Sequence, residues 1–172
     1  MIREMEHLGY QFEGAEGSFQ ILFDRLVHNF PEFFELDGFR VITEKKGSNE
    51  PYSEAVIKLR VDGKEEHTAA EGVGPVSALD RALRKSLGAF FPCIRDVRLT
   101  DYKVRVLNNK DATDARVRVL IETSDGHETW GTVGVSENII EASWKALVDS
   151  ITYKLKKEYG YRRHPAQTRT AT

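Results

Sequence analysis

The residues of this chain best placed to do chemistry are Gly72-Val73-Gly74-Pro75, with Ser77 close behind. They leave a strand-like stretch and enter a helix-like one, and the glycines let a ligand approach the backbone closely. The first N–H groups of a helix have no intrahelical partner and point outward, so a carboxylate docks there on hydrogen bonds and the helix dipole. Pro75 suits the first helical position for its own reasons, and glycine and proline before a helix are also ordinary punctuation. Carboxylate docking fits these four residues, but taken alone they read first as plain punctuation.

Other chemistry finds less support. His7, His28, His67, His127 and His164 are scattered, with no H-x-H or H-E-x-x-H spacing to hold a metal. For a small stand-alone enzyme the nearest acid-base candidates are Tyr102, His67 and Glu71. Cys93, the single cysteine, follows Phe90, Phe91 and Pro92 and reads as a small packed hydrophobe. Lys103, Arg105, Arg116 and Arg118 alternate with valines, but Asp101, Asp111, Asp114 and Glu122 interrupt them and no aromatic platform accompanies them. A solvated sheet face is expected there, not a nucleic-acid site, and the net charge of -2 adds no basic field. No apolar run approaches the roughly 20 residues that cross a bilayer, and Met1 to Tyr10 is too charged for a signal peptide. A cytoplasmic protein without membrane partners is expected.

Residues of this kind need a scaffold, and hydrophobic periodicity outlines one within 172 residues, enough for one core and a small attachment. Ile2 to Leu8 reads as a short helix; Phe12, Ala15, Phe19, Leu22, Phe23 and Leu26 then recur at helical spacing until Asn29 and Pro31. Residues 1–36 are expected to be a helical connector to an upstream domain, with packing on the domain's own sheet as the alternative. Strands are expected at Phe39 to Glu44, Ala55 to Val61 and Glu65 to Ala70, the last two joined at Asp62-Gly63. Ala55, Ile57, Leu59 and Val61 share one strand face. Val76, Leu79, Leu83, Leu87 and Phe90 then stripe a helix, with an Asp80 to Arg84 pair on its surface.

The same grammar recurs. Val97 to Leu107, Ala115 to Thr123 and a strand through Trp130 precede a helix striped by Ile140, Trp144, Leu147, Ile151 and Leu155. A period of about sixty residues marks an internal duplication. The fold class is therefore α+β: duplicated βββα units with pseudo-two-fold symmetry, antiparallel sheets with helices on one face, preceded by short linker helices. Residues 37–160 form the domain, with unit one at 37–92 and unit two at 93–160, and 161–172 are expected to be a disordered tail. The other face of each sheet needs cover, which dimerisation or a meeting of the two units would supply.

The run from Gly72 to Leu79 (GVGPVSAL) after His67-Thr68-Ala69-Ala70-Glu71, with Asp101-Tyr102-Lys103-Val104-Arg105 and Ser124-Asp125-Gly126, resembles the C-terminal regulatory domain shared by 2-isopropylmalate and citramalate synthases. So does the run from Trp130 to Trp144 (WGTVGVSENIIEASW), and Gly9 to Phe19 (GYQFEGAEGSF) resembles the linker of the citramalate-type branch. The resemblance implies a homodimeric domain that binds the end-product amino acid, isoleucine or leucine, for feedback inhibition. It also implies an upstream TIM barrel of the same polypeptide, condensing an acyl-CoA with a 2-oxo acid on a divalent metal. The barrel's H-x-H ligands and arginine are not in this sequence, so the chain itself is expected to need no cofactor and catalyse nothing. By the same resemblance Gly72, Val73 and Gly74 would frame the effector's polar end, with Ser77 beside them. Leu99 and Tyr102 would contact its side chain, with Ala115 and Val117 on the next strand. Val73 stands where the 2-isopropylmalate branch often has asparagine, which removes a side-chain hydrogen bond. A purely structural dimerisation module is the alternative.

Overall fold

A computed structural model describes residues 2–28, 30, 32–107 and 115–160. Helices α1 (Ile2–His7) and α2 (Glu16–Val27) precede strands β1 (Glu35–Glu44), β2 (Tyr52–Val61) and β3 (Lys64–Gly72) and helix α3 (Pro75–Leu87). A 3-10 turn at Pro92–Asp96 leads to β4 (Arg98–Leu107), β5 (Arg116–Ser124), β6 (Thr129–Ser136) and α4 (Ile139–Tyr159). The strands form two antiparallel sheets, β1-β2-β3 and β4-β5-β6, so the fold is the duplicated βββα arrangement.

The duplication extends to irregularities. β1 slips register between Leu36 and Gly38, and β4 does so between Leu99 and Asp101, each just inside its strand. The inward residues of the helices correspond as well: Ala78 with Ala142, Ala82 with Ala146, Leu83 with Leu147 and Ser86 with Ser150 are all buried. The bulge at Asp37 also explains why β1 starts at Glu35 and not at Phe39. An Asp-Gly pair that reads as a turn is tolerated where a strand takes an extra residue.

One compact unit holds Phe30–Arg95 with the end of α4 from Lys154. Here α3 sets Ala78, Leu79, Ala82, Leu83 and Leu87 on Ala55, Ile57, Leu59 and Val61, all fully buried. Each large aliphatic side chain so buried contributes about 1.5–3 kcal/mol. Arg81 and Lys85 fasten the helix by donating to the Glu71 and Ala69 carbonyls, each at 3.2 Å. Two expectations change. The Asp80 to Arg84 pair is not a surface pair, since Asp80 is only 7% exposed. Phe90 lies past the helix end, where its N–H turns back to Leu87 at 3.0 Å. Phe30, Phe33 and Phe91 meet edge to face in this unit and Tyr159 packs at a tilt on Phe91, while Cys93 is half-buried beside the Tyr159 hydroxyl. Burial pushes both groups up, Tyr159 to about 12.

The other unit joins the segment ahead of residue 29 to Asp96–Tyr153. α4 lies so close on β6 that a Cβ on Gly134 would stand 1.9 Å from the Ala142 carbonyl oxygen. Thr132 Oγ1 donates to the Ala146 carbonyl at 2.8 Å, and the buried Trp130 indole donates to Ser150 Oγ at 3.1 Å. β6 is an edge strand, and the N-terminal segment caps its outward N–H groups in alternation. Glu16 accepts from Gly131 at 3.0 Å, Ser18 Oγ accepts from Val133 at 2.9 Å, and the Tyr10 hydroxyl accepts from Val135. Open sheet edges invite pairing with other chains, and this one is closed by side chains.

The Ala15, Gly17, Ser18 and Ile21 face of α2 is thus buried on the domain's own sheet, while Phe19, Phe23, Leu26 and Val27 stay exposed. Nor are Arg116 and Arg118 simply solvated: Arg118 Nε donates to the Gly9 carbonyl at 2.6 Å and Arg116 to that of Leu8 at 3.3 Å. The sheet faces away from the helices are largely charged, carrying Lys58 and Arg60 on β2 and Arg118 and Glu122 on β5, so they need little apolar cover. The tail, with His164, and the loop holding Asp111 and Asp114 lie outside the described residues. Among the described residues no helix is long and apolar enough to cross a membrane.

Candidate functional site

β3 ends at Gly72 because nothing larger fits: a Cβ there would stand 2.5 Å from the Ala78 nitrogen and 2.9 Å from its Cα. The constraint is space, since the turn brings strand and helix backbones together. Val73 then faces solvent at 86% exposure. Gly74 is the N-cap of α3 in extended conformation, and a Cβ on it would meet nothing. Its carbonyl accepts from Ala78 N–H at 3.0 Å, closing the first helical turn. No side chain caps this helix, its first turn has no acidic residue, and Pro75 offers no N–H. The N–H groups of Val76 and Ser77 therefore stand at the mouth of a dipole with neither a side-chain cap nor an acidic residue in the first turn. Gly72, Val73, Gly74 and Ser77 come together here as one short arc.

The remaining sequence-derived residues belong to the other unit. Leu99 and Tyr102 are an odd number of positions apart, which in a regular strand would set them on opposite faces. The bulge between Leu99 and Asp101 removes that conflict: Leu99 pairs with Thr123 and Tyr102 with Ile121, which share a face of β5. Val117, opposite Val106, is on that face too, and Ala115 lies half-buried just before β5. Asp101 braces the bulge by accepting the Tyr102 N–H at 2.8 Å, while Lys103 at 2.7 Å holds its carboxyl below the usual range.

Sequence reasoning missed Ser143, whose Oγ is 3.1 Å from the Tyr102 hydroxyl. Ser143 gives its own proton to the Ile139 carbonyl at 2.7 Å, so Tyr102 is the donor. The ring is thereby fixed on the helix side of the sheet. Nothing local in the sequence signals this pairing, because it joins positions on β4 and α4. Val104 and Val106 extend the same face beyond the helix's cover, at 40% and 61% exposure.

Residues 13–155, spanning both βββα units, match the family model described as the LeuA allosteric (dimerisation) domain. The chain belongs to the LeuA allosteric domain family. Its relatives include the (R)-citramalate synthase of Geobacter sulfurreducens, 57% identical over 91% of this chain, and that of Aquifex aeolicus, 53% identical over 91%. The 2-isopropylmalate synthase of Aquifex aeolicus is 28% identical, also over 91% of the chain. The chain spans about 30% of the length of the citramalate synthases it matches. As a LeuA allosteric domain it carries the glycine arc on one βββα unit and the Leu99, Tyr102 and Val117 face on the other.

Proposed function

We propose that this chain is the amino-acid-sensing, dimer-forming regulatory part of an acyl-CoA:2-oxo-acid condensing enzyme, a citramalate synthase, in cytoplasmic isoleucine or leucine synthesis. The reading rests on one observation above all, the uncapped start of α3 just after the confined Gly72 and the open Gly74. There the effector carboxylate accepts from the N–H groups around Ser77, with Val73 contributing backbone. Leu99, Tyr102, Ala115 and Val117 form an apolar face of the kind an aliphatic side chain needs, worth about 1.5–3 kcal/mol when buried. Catalysis and its divalent metal belong to the barrel of the parent polypeptide, and this chain alone turns over no substrate. Inhibition follows if the ligand prefers one arrangement of the dimer, because equal affinity for both would shift nothing. α1 and α2 pass the change to the barrel.

Calorimetric titration of the chain with L-isoleucine and L-leucine tests this reading. Heat from one of them that vanishes with isoleucinamide or leucinamide, which lack the carboxylate, is expected. No heat from either amino acid at about millimolar concentration, an affinity near 4 kcal/mol, contradicts it.

A further inference from the structure

A cavity of about 340 Å³ opens beside α4 in the β4–β6 unit. It shares no residue with the Gly72 arc. Its volume is at the lower end of the roughly 300–1,000 Å³ usual for small-molecule sites. One wall is a stripe of α4: Glu141, Trp144, Lys145, Val148 and Asp149 recur at three- and four-residue spacing and so share a helix face. The facing wall comes from the N-terminal segment, with Phe12, Ser18, Leu22 and Arg25.

The charged groups come as two loose pairs. Arg25 Nη1 is 3.5 Å from Asp149 Oδ1, and Lys145 Nζ is 3.9 Å from Glu141 Oε1, both outside good hydrogen-bond length. Lys145 is already engaged with the Val135 carbonyl at 3.1 Å, whereas Arg25 is 42% exposed with Asp149 as its ion-pair partner. Between the pairs the surface is apolar, made by Trp144, Val148 and Leu22. An Arg25–Asp149 ion pair longer than hydrogen-bond length, at the end of an apolar groove, matches a small molecule that carries both charges at one end and hydrocarbon at the other.

We infer that this cavity is a second binding site for a free apolar α-amino acid, its ammonium on Asp149, its carboxylate on Arg25 and its side chain on Leu22, Trp144 and Val148. Burial raises the Asp149 carboxyl to about 6 despite Ser18 and Arg25, so an ammonium placed against it finds a carboxylate short of solvation. The site stands whether or not the Gly72 arc binds, and it joins the N-terminal segment to α4.

The indole N–H resonance of Trp144 reports on this cavity, Trp130 being fully buried elsewhere. Titrating the chain with L-isoleucine is expected to shift it saturably. N-acetyl-L-isoleucine, lacking the ammonium, and 2-methylbutylamine, lacking the carboxylate, are expected to bind at least about tenfold more weakly. Arg25→Gln, at an exposed position, is expected to weaken isoleucine by about tenfold, and Gly74→Asp to leave the Trp144 shift unchanged. A Trp144 resonance that stays put while amides near Gly74 move overturns this site and leaves the Gly72 reading standing. Equal affinity for isoleucine and its two one-charge analogues also overturns it.

Discussion

A methyl group on Gly72 would stand 2.5 Å from the Ala78 amide nitrogen, so Gly72→Ala must push β3 away from α3 or shift the start of the helix. Overpacking of this kind costs about 1–3 kcal/mol, and a corresponding fall in the urea midpoint is expected. Gly74 is the opposite case, with open space around it and an uncapped helix ahead. Aspartate there gives α3 the cap and the charge it lacks. Gly74→Asp is expected to hold or raise thermal stability by a few tenths of a kcal/mol and to abolish the response of the Val76 and Ser77 amides to isoleucine. A variant that is stabilised and whose Val76 and Ser77 amides still respond at full affinity would show that the effector carboxylate docks elsewhere. The arc was legible from Gly72 to Ser77 because turn and cap chemistry is local. The Tyr102 to Ser143 bond and the bulge that aligns Leu99 with Tyr102 were not, because cross-strand register and helix placement decide them.

At the scale of elements, α2 closes the edge of β6 and is itself held by Asp149 on α4. Ser18 is 3% exposed and accepts the Val133 N–H, so Ser18→Ala leaves a buried donor without its partner. A loss of about 1–3 kcal/mol in urea denaturation is expected, with more self-association through the uncapped edge. Asp149 sets a pH dependence. Its carboxyl is raised from 3.8 to about 6 by burial, so between these values the unfolded chain gives up a proton that the folded chain keeps. Stability on this account falls as pH rises through that window and is flat above it. Asp149→Asn is expected to match the parent below pH 3.8 and to be the more stable protein above 6; a melting-temperature series across that range decides, and a difference that shrinks with rising pH contradicts it. The helix stripes and strand alternation could be read from periodicity alone. Edge capping could not, because Ser18 and Val133 meet across 115 positions of chain.

For the whole molecule, duplication was readable in the sequence because both copies keep the same inward pattern, Ala78 and Leu83 in one, Ala142 and Leu147 in the other. Where apolar cover is lacking was not readable. The expectation pointed to the faces away from the helices, which prove charged, whereas Val104 and Val106 are bare on the helix side of edge strand β4. The proposed dimerisation is expected to cover that margin. Val106→Lys is expected to leave the fold intact, as the side chain is 61% exposed, and to shift the dimer toward monomer in sedimentation velocity. An unchanged mass would move the contact to another surface, with the exposed Phe19 and Phe23 of α2 next in line. The regulatory account then follows by linkage: a ligand favouring one dimer arrangement changes the dimer's affinity by the same factor as the dimer changes the ligand's.

Backbone amide spectra of the chain, recorded as L-isoleucine or L-leucine is added and again with the corresponding amide, test the docking of the effector carboxylate most directly. The account predicts that the Val76 and Ser77 N–H resonances move downfield and saturate with one free amino acid, and hardly respond to its carboxamide. Resonances of the α3 start that stay in place with both amino acids, or move equally with the carboxamides, would contradict it.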